Sequence, residues 1–330
     1  MLAYLVRRLI LAVLTTWAVS VLAYVVIQLP PGDYITSYIA QMSASGSFVT
    51  RQEADALRQE YGLDKPIWVQ YMRWMGMVVR GKFGMALEWG RPVSEVIGDR
   101  LWLTMAVSGA AILLTWVVAL PIGIYSAVRQ YSVGDYIATF IGFIGLAVPS
   151  FMLALVLMYF GFTLFNMNVG GLFSDEMAQA RWSWAKVWDL IKHLPLPATI
   201  LALAGTAQLI RIMRANLLDE LRRPYVVTAR ARGLSEMRVI LKYPVRVALN
   251  PFASTVGYLL PYVVSGSIIV SLVLSLPTVG PLLLRALVAQ DMFLAGTIVL
   301  LLGVMTVVGT FLSDLLLMWI DPRIRLEGRK

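Results

Sequence analysis

Few residues in this chain have the types and spacing to do covalent or proton-transfer chemistry. Among 330 residues there is one histidine, His193, and no cysteine. Disulfides are therefore impossible, an ordinary all-protein zinc or haem site is not expected, and the sequence supports no serine–histidine–carboxylate or cysteine–histidine constellation. His193 sits just before Pro195 and reads as an interfacial residue. Residues 76–83 (GMVVRGKF) come within one residue of the phosphate-binding pattern G-x-x-x-x-G-K-S/T. Phe83 stands where a magnesium-holding hydroxyl is needed, and no apolar strand precedes the loop, so the chain carries no motor of its own. Acids inside membrane runs would mark ion coupling. Asp314 falls in one, but only about a turn and a half from Ile320-Asp321, within reach of the interface.

Two other patterns suit recognition and passage. Residues 225–251 (YVVTARARGLSEMRVILKYPVRVALNP) are strongly basic and lie between two long apolar runs. Residues 228–241 suit a short helix in which Ala229, Ala231 and Gly233 let another protein approach the backbone closely. Arg230, Arg232 and Arg238 would offer charge-assisted contacts to acidic groups on that protein. A plain positive-inside loop needs only the arginines. Further on, Ser254, Tyr258, Tyr262 and Ser265 recur at i, i+4, i+8 and i+11, forming one polar-tipped stripe. Such hydroxyls suit either a path for hydrogen-bonding solutes or contacts between packed membrane helices.

The elements that must hold these residues are membrane helices. Apolar residues make up 59% of the chain and charged residues 14%, with a mean hydropathy of +0.74. A soluble domain carries nearer ~25% charge. Helices are expected over 9–29, 101–128, 136–165, 194–213, 252–276 and 294–320, each near the ~20 residues needed to span a bilayer core. Residues 1–29 read as an uncleaved tail and first helix. Residues 30–100 are polar and mixed in charge, an extracytoplasmic insertion in which 69–79 suits a helix lying on the membrane surface. Trp182, Trp184 and Trp188 suit an interfacial belt.

Residues 101–320 form a five-helix core that includes a cytoplasmic loop at 211–250, and 321–330 is a cytoplasmic tail. Nine Lys and Arg fall between Arg211 and Arg246, against three acids. With that loop and the tail in the cytoplasm, six helices put both termini there. The net charge of +9 is gathered beside these helices, where it meets membrane lipid rather than nucleic acid.

The segment 228–235, Thr228-Ala229-Arg230-Ala231-Arg232-Gly233-Leu234-Ser235, resembles the cytoplasmic "EAA loop" of ABC importer permeases, in the form used by the dipeptide/oligopeptide family. The general pattern is Glu-Ala-Ala, three residues, then Gly; here Val227-Thr228-Ala229 and Gly233 occupy it, without the Glu and one Ala. The resemblance extends along the chain through Pro31-Gly32-Asp33, Gly62-Leu63-Asp64-Lys65-Pro66, Gly81-Lys82-Phe83-Gly84, Arg91-Pro92-Val93, Val148-Pro149-Ser150-Phe151 and Leu276-Pro277-Thr278-Val279-Gly280. The insertion after helix 1 is similar to that of the first of the family's two permeases.

The resemblance implies an all-α, six-helix type I ABC importer permease fold in a bacterial inner membrane. It implies a second homologous permease, two cytoplasmic ABC ATPases holding ATP and magnesium, and an extracytoplasmic solute-binding protein. This chain itself would hold no cofactor and catalyse nothing. Residues 228–235 would couple ATPase closure to the pore. Family substrates include di- and oligopeptides, nickel chelates, oligosaccharides and opine-like compounds. A secondary carrier or channel is the other class, disfavoured by the scarcity of buried acids.

Overall fold

The computed structural model describes residues 2–46, 49–165, 170–250, 252, 254 and 267–320. Within them the chain is helical apart from one short hairpin. In order these are α1 (Leu2–Ile27), α2 (Tyr34–Ala44), α3 (Arg51–Tyr61), α4 (Ile67–Val78), β1 (Met85–Ala86), β2 (Arg91–Pro92), α5 (Val93–Val128), α6 (Val133–Ala147), α7 (Ser150–Phe165), α8 (Asp175–Ala178) and α9 (Trp184–His193). Then follow α10 (Pro195–Leu221), α11 (Pro224–Ala231), α12 (Glu236–Lys242), α13 (Pro244–Ala248), α14 (Val279–Val288) and α15 (Met292–Ile320). Among the described residues four helices are long and apolar enough to cross a membrane, α1 over Ile10–Ile27, α5, α10, and α15 over Met292–Leu317, and the bent pair α6–α7 makes a fifth if it counts as one span. The expected span at 252–276 lies largely outside the described residues.

The expectation of one continuous helix over 136–165 is corrected. The segment breaks into α6 and α7, bent by 102°. Pro149 has no N–H to donate and disfavours helical backbone at the preceding residue. Val148 accordingly turns extended, at φ −87° and ψ 121°.

The chain divides by packing into two units, residues 2–104 with 278–305, and residues 105–277 with 306–330. In the first unit, Tyr24, Tyr71 and Trp74 form a buried aromatic cluster, with Tyr24 5.4 Å from Tyr71 and 5.6 Å from Trp74. Asp33 caps α2 by accepting the Thr36 N–H at 2.8 Å and also receives Arg58 Nε at 2.8 Å. Burial opposes its ionisation, but the Arg58 and Thr36 hydrogen bonds outweigh that and hold the carboxyl below the usual range. On α4, Gln70, Tyr71 and Trp74 are buried while Trp68 and Met72 are exposed, the two-faced pattern of a surface helix. The near-match to a phosphate loop straddles the end of α4 and the turn after it, so a helix precedes that turn instead of a strand.

The hairpin is tied to the start of α15 by Asp291. Its side chain accepts the Leu87 N–H at 2.6 Å and the Leu294 N–H at 3.1 Å. Gly84, at φ +87°, lets the turn lie on Phe293, because an added Cβ would come within 3.0 Å of that ring.

The second unit is built around α10. Leu209, Ile210, Met213 and Leu217 pack with Ala119 and Ala127 of α5, Ile240 of α12, and Val245 and Ala248 of α13. Two glycines permit close crossings. A Cβ on Gly123 would lie 2.7 Å from Met213 Cβ, and one on Gly145 would lie 2.8 Å from Leu203 Cγ. Asp135 of α6, 2% exposed, takes a two-pronged bond from Arg214 of α10, Nε to Oδ1 at 3.0 Å and Nη2 to Oδ2 at 2.9 Å. On and beside α9 the three tryptophans are exposed, Trp182 by 41%, Trp188 by 60% and Trp184 by 89%. His193 Nδ1 lies 2.8 Å from the Asp189 carbonyl.

Burial pushes the Asp291 carboxyl up to about 6 from 3.8. The folded state therefore holds its proton more tightly than the unfolded chain, and stability falls as pH rises from about 4 to about 6. We expect Asp291→Asn to flatten that window in thermal-melt measurements across pH. Asp291→Ala should instead lower the melting temperature throughout, because it leaves two buried N–H groups unpaired. An unchanged pH profile in Asp291→Asn would remove Asp291 as its source.

Candidate functional site

The basic segment leaves α10 as a small helical assembly whose shape follows from its prolines and one glycine. Pro224 opens α11 and Pro244 opens α13, positions where a missing N–H costs nothing. Between α11 and α12 the chain turns at Gly233, whose φ of +76° is a left-handed conformation that side chains disfavour. The Gly233 N–H donates to the Arg230 carbonyl at 2.9 Å. Ser235 then leads into α12 with Glu236 in its first turn.

The single short helix expected over 228–241 is thus two helices joined by a turn. Gly233 ends the first of them, and open space surrounds the position of an added Cβ. The approach of another protein's backbone remains sterically free there.

The structure brings residues 228–235 together on this turn but gives them different tasks. Ala229 is buried against Val226 and Val239, with Leu234 and Tyr243 alongside, so it fills a small core instead of offering an outer surface. Arg230 closes the turn by donating Nη2 to Glu236 Oε1 at 2.6 Å, which holds the Glu236 carboxyl below its usual range. It is therefore already paired within the chain, contrary to the outward role expected for it. Thr228 Oγ1 donates to the Pro224 carbonyl at 3.0 Å. Ala231, Arg232, Ser235 and Arg238 are exposed. Among the described residues Arg232 and Arg238 form no ion pair. Beside them stand Val227, Met237 and Leu241, 58%, 69% and 51% exposed.

Cations thus stand beside exposed apolar side chains on an ordered turn, a mixture of the kind found at protein–protein contacts. The inner side of the turn is anchored, because Ile240 of α12 and Val245 of α13 belong to the same core as α10. Packed side chains therefore connect the turn directly to α10.

Of the polar stripe, Ser254 is exposed and donates to the Asn250 carbonyl at 3.2 Å. Tyr258, Tyr262 and Ser265 lie outside the described residues. Residue-by-residue reading passed over the Asp135–Arg214 bond and the Asp291 anchor. For Asp135 the signal was present: an acid at the head of an apolar run, with an arginine at the far end of another.

Residues 119–326 match the family described as "Binding-protein-dependent transport system inner membrane component", and residues 1–108 match that described as "Binding-prot-dependent transport system membrane comp, N-term". The chain is 33% identical over 325 residues to the oligopeptide transport system permease protein AppB of Bacillus subtilis, covering 98% of this chain and 99% of that one. It is 29% identical over 328 residues to the dipeptide transport system permease protein DppB of Lactococcus lactis subsp. cremoris, 99% and 100% covered. It is also 29% identical over 361 residues to the peptidoglycan transport system permease protein YejB of Agrobacterium fabrum, 99% of each being covered. With a multi-pass helical body, an ordered basic turn rooted in it, and these matches along nearly its whole length, the chain belongs to the family of binding-protein-dependent transport system inner membrane components, the permeases of ABC importers.

Proposed function

We propose that this permease forms half of a translocation pathway for peptides, paired with a second homologous permease. Two cytoplasmic ATPases holding ATP and magnesium drive the pair, and an extracytoplasmic solute-binding protein feeds it. The observation that carries the reading is the α11–α12 turn, which joins an exposed docking surface to the core of α10. The names of the similar permeases support a peptide substrate, and the peptidoglycan system among them allows for peptide-bearing cell-wall fragments.

In this mechanism an ATPase grips Arg232, Arg238, Val227 and Met237. Nucleotide-driven closure displaces the turn, and Ile240, Val245 and Ala248 carry the displacement to α10. The pathway then switches its opening from one side of the membrane to the other. Ser254, Tyr258, Tyr262 and Ser265 supply hydroxyls along that pathway. Residues 1–29 hold the tail and first helix, 30–100 lie outside the cell, 211–250 face the cytoplasm, and both termini are cytoplasmic.

Orientation is directly measurable, because the natural chain has no cysteine to label. A single Ser235→Cys should react with a membrane-impermeant maleimide in inverted vesicles and stay unlabelled in intact cells. Labelling from outside would overturn the topology.

Coupling is tested by charge. Arg232→Glu with Arg238→Glu should weaken ATPase co-purification by about tenfold or more, since like charges facing each other across an interface are costly. The chain itself should remain inserted. Arg230→Glu should impair peptide uptake by opening the turn, and adding Glu236→Arg should restore it by re-forming the pair. Normal uptake and normal co-purification in the Arg232/Arg238 variant would refute the docking assignment. A transporter that works fully but takes up no peptide would refute the substrate alone.

A further inference from the structure

We propose that the groove between α6 and α10 binds an anionic phospholipid, its phosphate at Arg211 and its acyl chains along Thr139, Phe143 and Leu146. The groove is a cavity of about 770 Å3 lined by side chains of these two helices and the connector before α6. Its two ends differ in chemistry. At one end stand Tyr131, Tyr136, Arg211 and Ile212, with the Asp135–Arg214 pair as the floor. At the other end, where Gly142 and Gly145 of α6 meet Ala207 and Leu203 of α10, stand Phe143, Leu146 and Gln208.

The charge balance favours an anion. Asp135 is fully engaged, taking Arg214 on both oxygens and the Tyr131 N–H at 2.9 Å. Arg211 is exposed and has no carboxylate partner among the described residues, so the polar end keeps one net positive charge. A guanidinium presents paired N–H groups that match phosphate geometry. Basic clefts between membrane helices are fitted to lipid headgroups in this way.

The dimensions favour a lipid over a free phosphate. Asp135, Thr139, Phe143 and Leu146 recur on one face of α6, and Gln208, Arg211, Ile212 and Ala215 recur on one face of α10. From Asp135 to Leu146 the helix rises about 16 Å, close to the ~15 Å depth of one hydrocarbon leaflet. Tyr136, Phe140 and Phe143 on α6 are 62%, 67% and 57% exposed, so an aromatic and aliphatic wall continues from the groove towards lipid. Which leaflet supplies the lipid rests on the orientation proposed above; the binding chemistry does not.

The test uses the full-length chain in phosphatidylcholine nanodiscs carrying a trace of photoactivatable phosphatidylglycerol or photoactivatable phosphatidylcholine. Phosphatidylglycerol should label peptides from 131–146 and 208–215 in clear preference to phosphatidylcholine. Arg211→Gln should cut that labelling roughly fivefold, the worth of one cationic side chain near a headgroup. Arg129→Gln, on the exposed connector outside the groove, should leave it unchanged. Both variants keep the Asp135–Arg214 bond, so α6 stays seated on α10.

Equal labelling by the two lipids, or labelling indifferent to Arg211→Gln, would overturn the proposal. So would full displacement by soluble glycerol phosphate, which would mark a free-phosphate site. Labelling that vanishes in complexes taken from the native membrane would assign the groove to a protein partner instead. None of these outcomes depends on uptake or ATPase binding, so failure here is separable from failure of the transport reading.

Discussion

The second unit depends on how closely helices approach α10. Lipid is as apolar as a leucine side chain, so membrane helices gain little by hiding apolar surface from it. They associate through close packing and hydrogen bonds, with small residues at the contacts. Gly123 and Gly145 are such contacts: an added Cβ at either position would meet Met213 or Leu203 at less than 3 Å. The Asp135–Arg214 bond then fixes the register between α6 and α10 where packing alone would let them slide. A bare carboxylate at 2% exposure is costly. The two-pronged arginine and the Tyr131 N–H make it tolerable and give it one geometry.

From that base the basic segment gains its rigidity. α12 and α13 rest Ile240, Val245 and Ala248 on the same core. The turn between α11 and α12 is closed by Arg230 and Glu236, and a three-residue core of Val226, Ala229 and Val239 fills it. Exposed ion pairs are individually weak, typically within ~1 kcal/mol. The pair therefore selects the shape of the turn, while the buried residues beneath supply its stability.

The sequence made the helical, multi-pass character plain, because charge-free runs of the right length have few other readings. It also located the basic turn, because small residues, arginines and Gly233 stand together there. Assignment of tasks within the turn was less legible. Ala229 and Gly233 look alike as small residues, yet one is buried and the other sets a left-handed bend, a distinction that depends on where α12 folds back. Arg230 and Arg232 are alike in sequence, and only the fold brings Glu236, six residues on, to Arg230. The break at Val148-Pro149 was readable from proline chemistry, but the strongly apolar run on both sides masked it. Asp291 was the hardest to anticipate, since its partner Leu87 is 204 residues away and contributes only a backbone N–H.

The length of α10 has a consequence of its own. At 27 residues it rises about 40 Å, some 10 Å more than the hydrocarbon thickness. That surplus works as a stand-off. On the topology proposed above it would carry α11 and α12 beyond the acyl region to the outer edge of the headgroup layer, where a large soluble protein could seat itself without displacing lipid. Under the proposed coupling, the stroke would be set by the tilt of a stiff rod pivoting in the bilayer, in which a small angle at the membrane becomes a larger sweep at the far end.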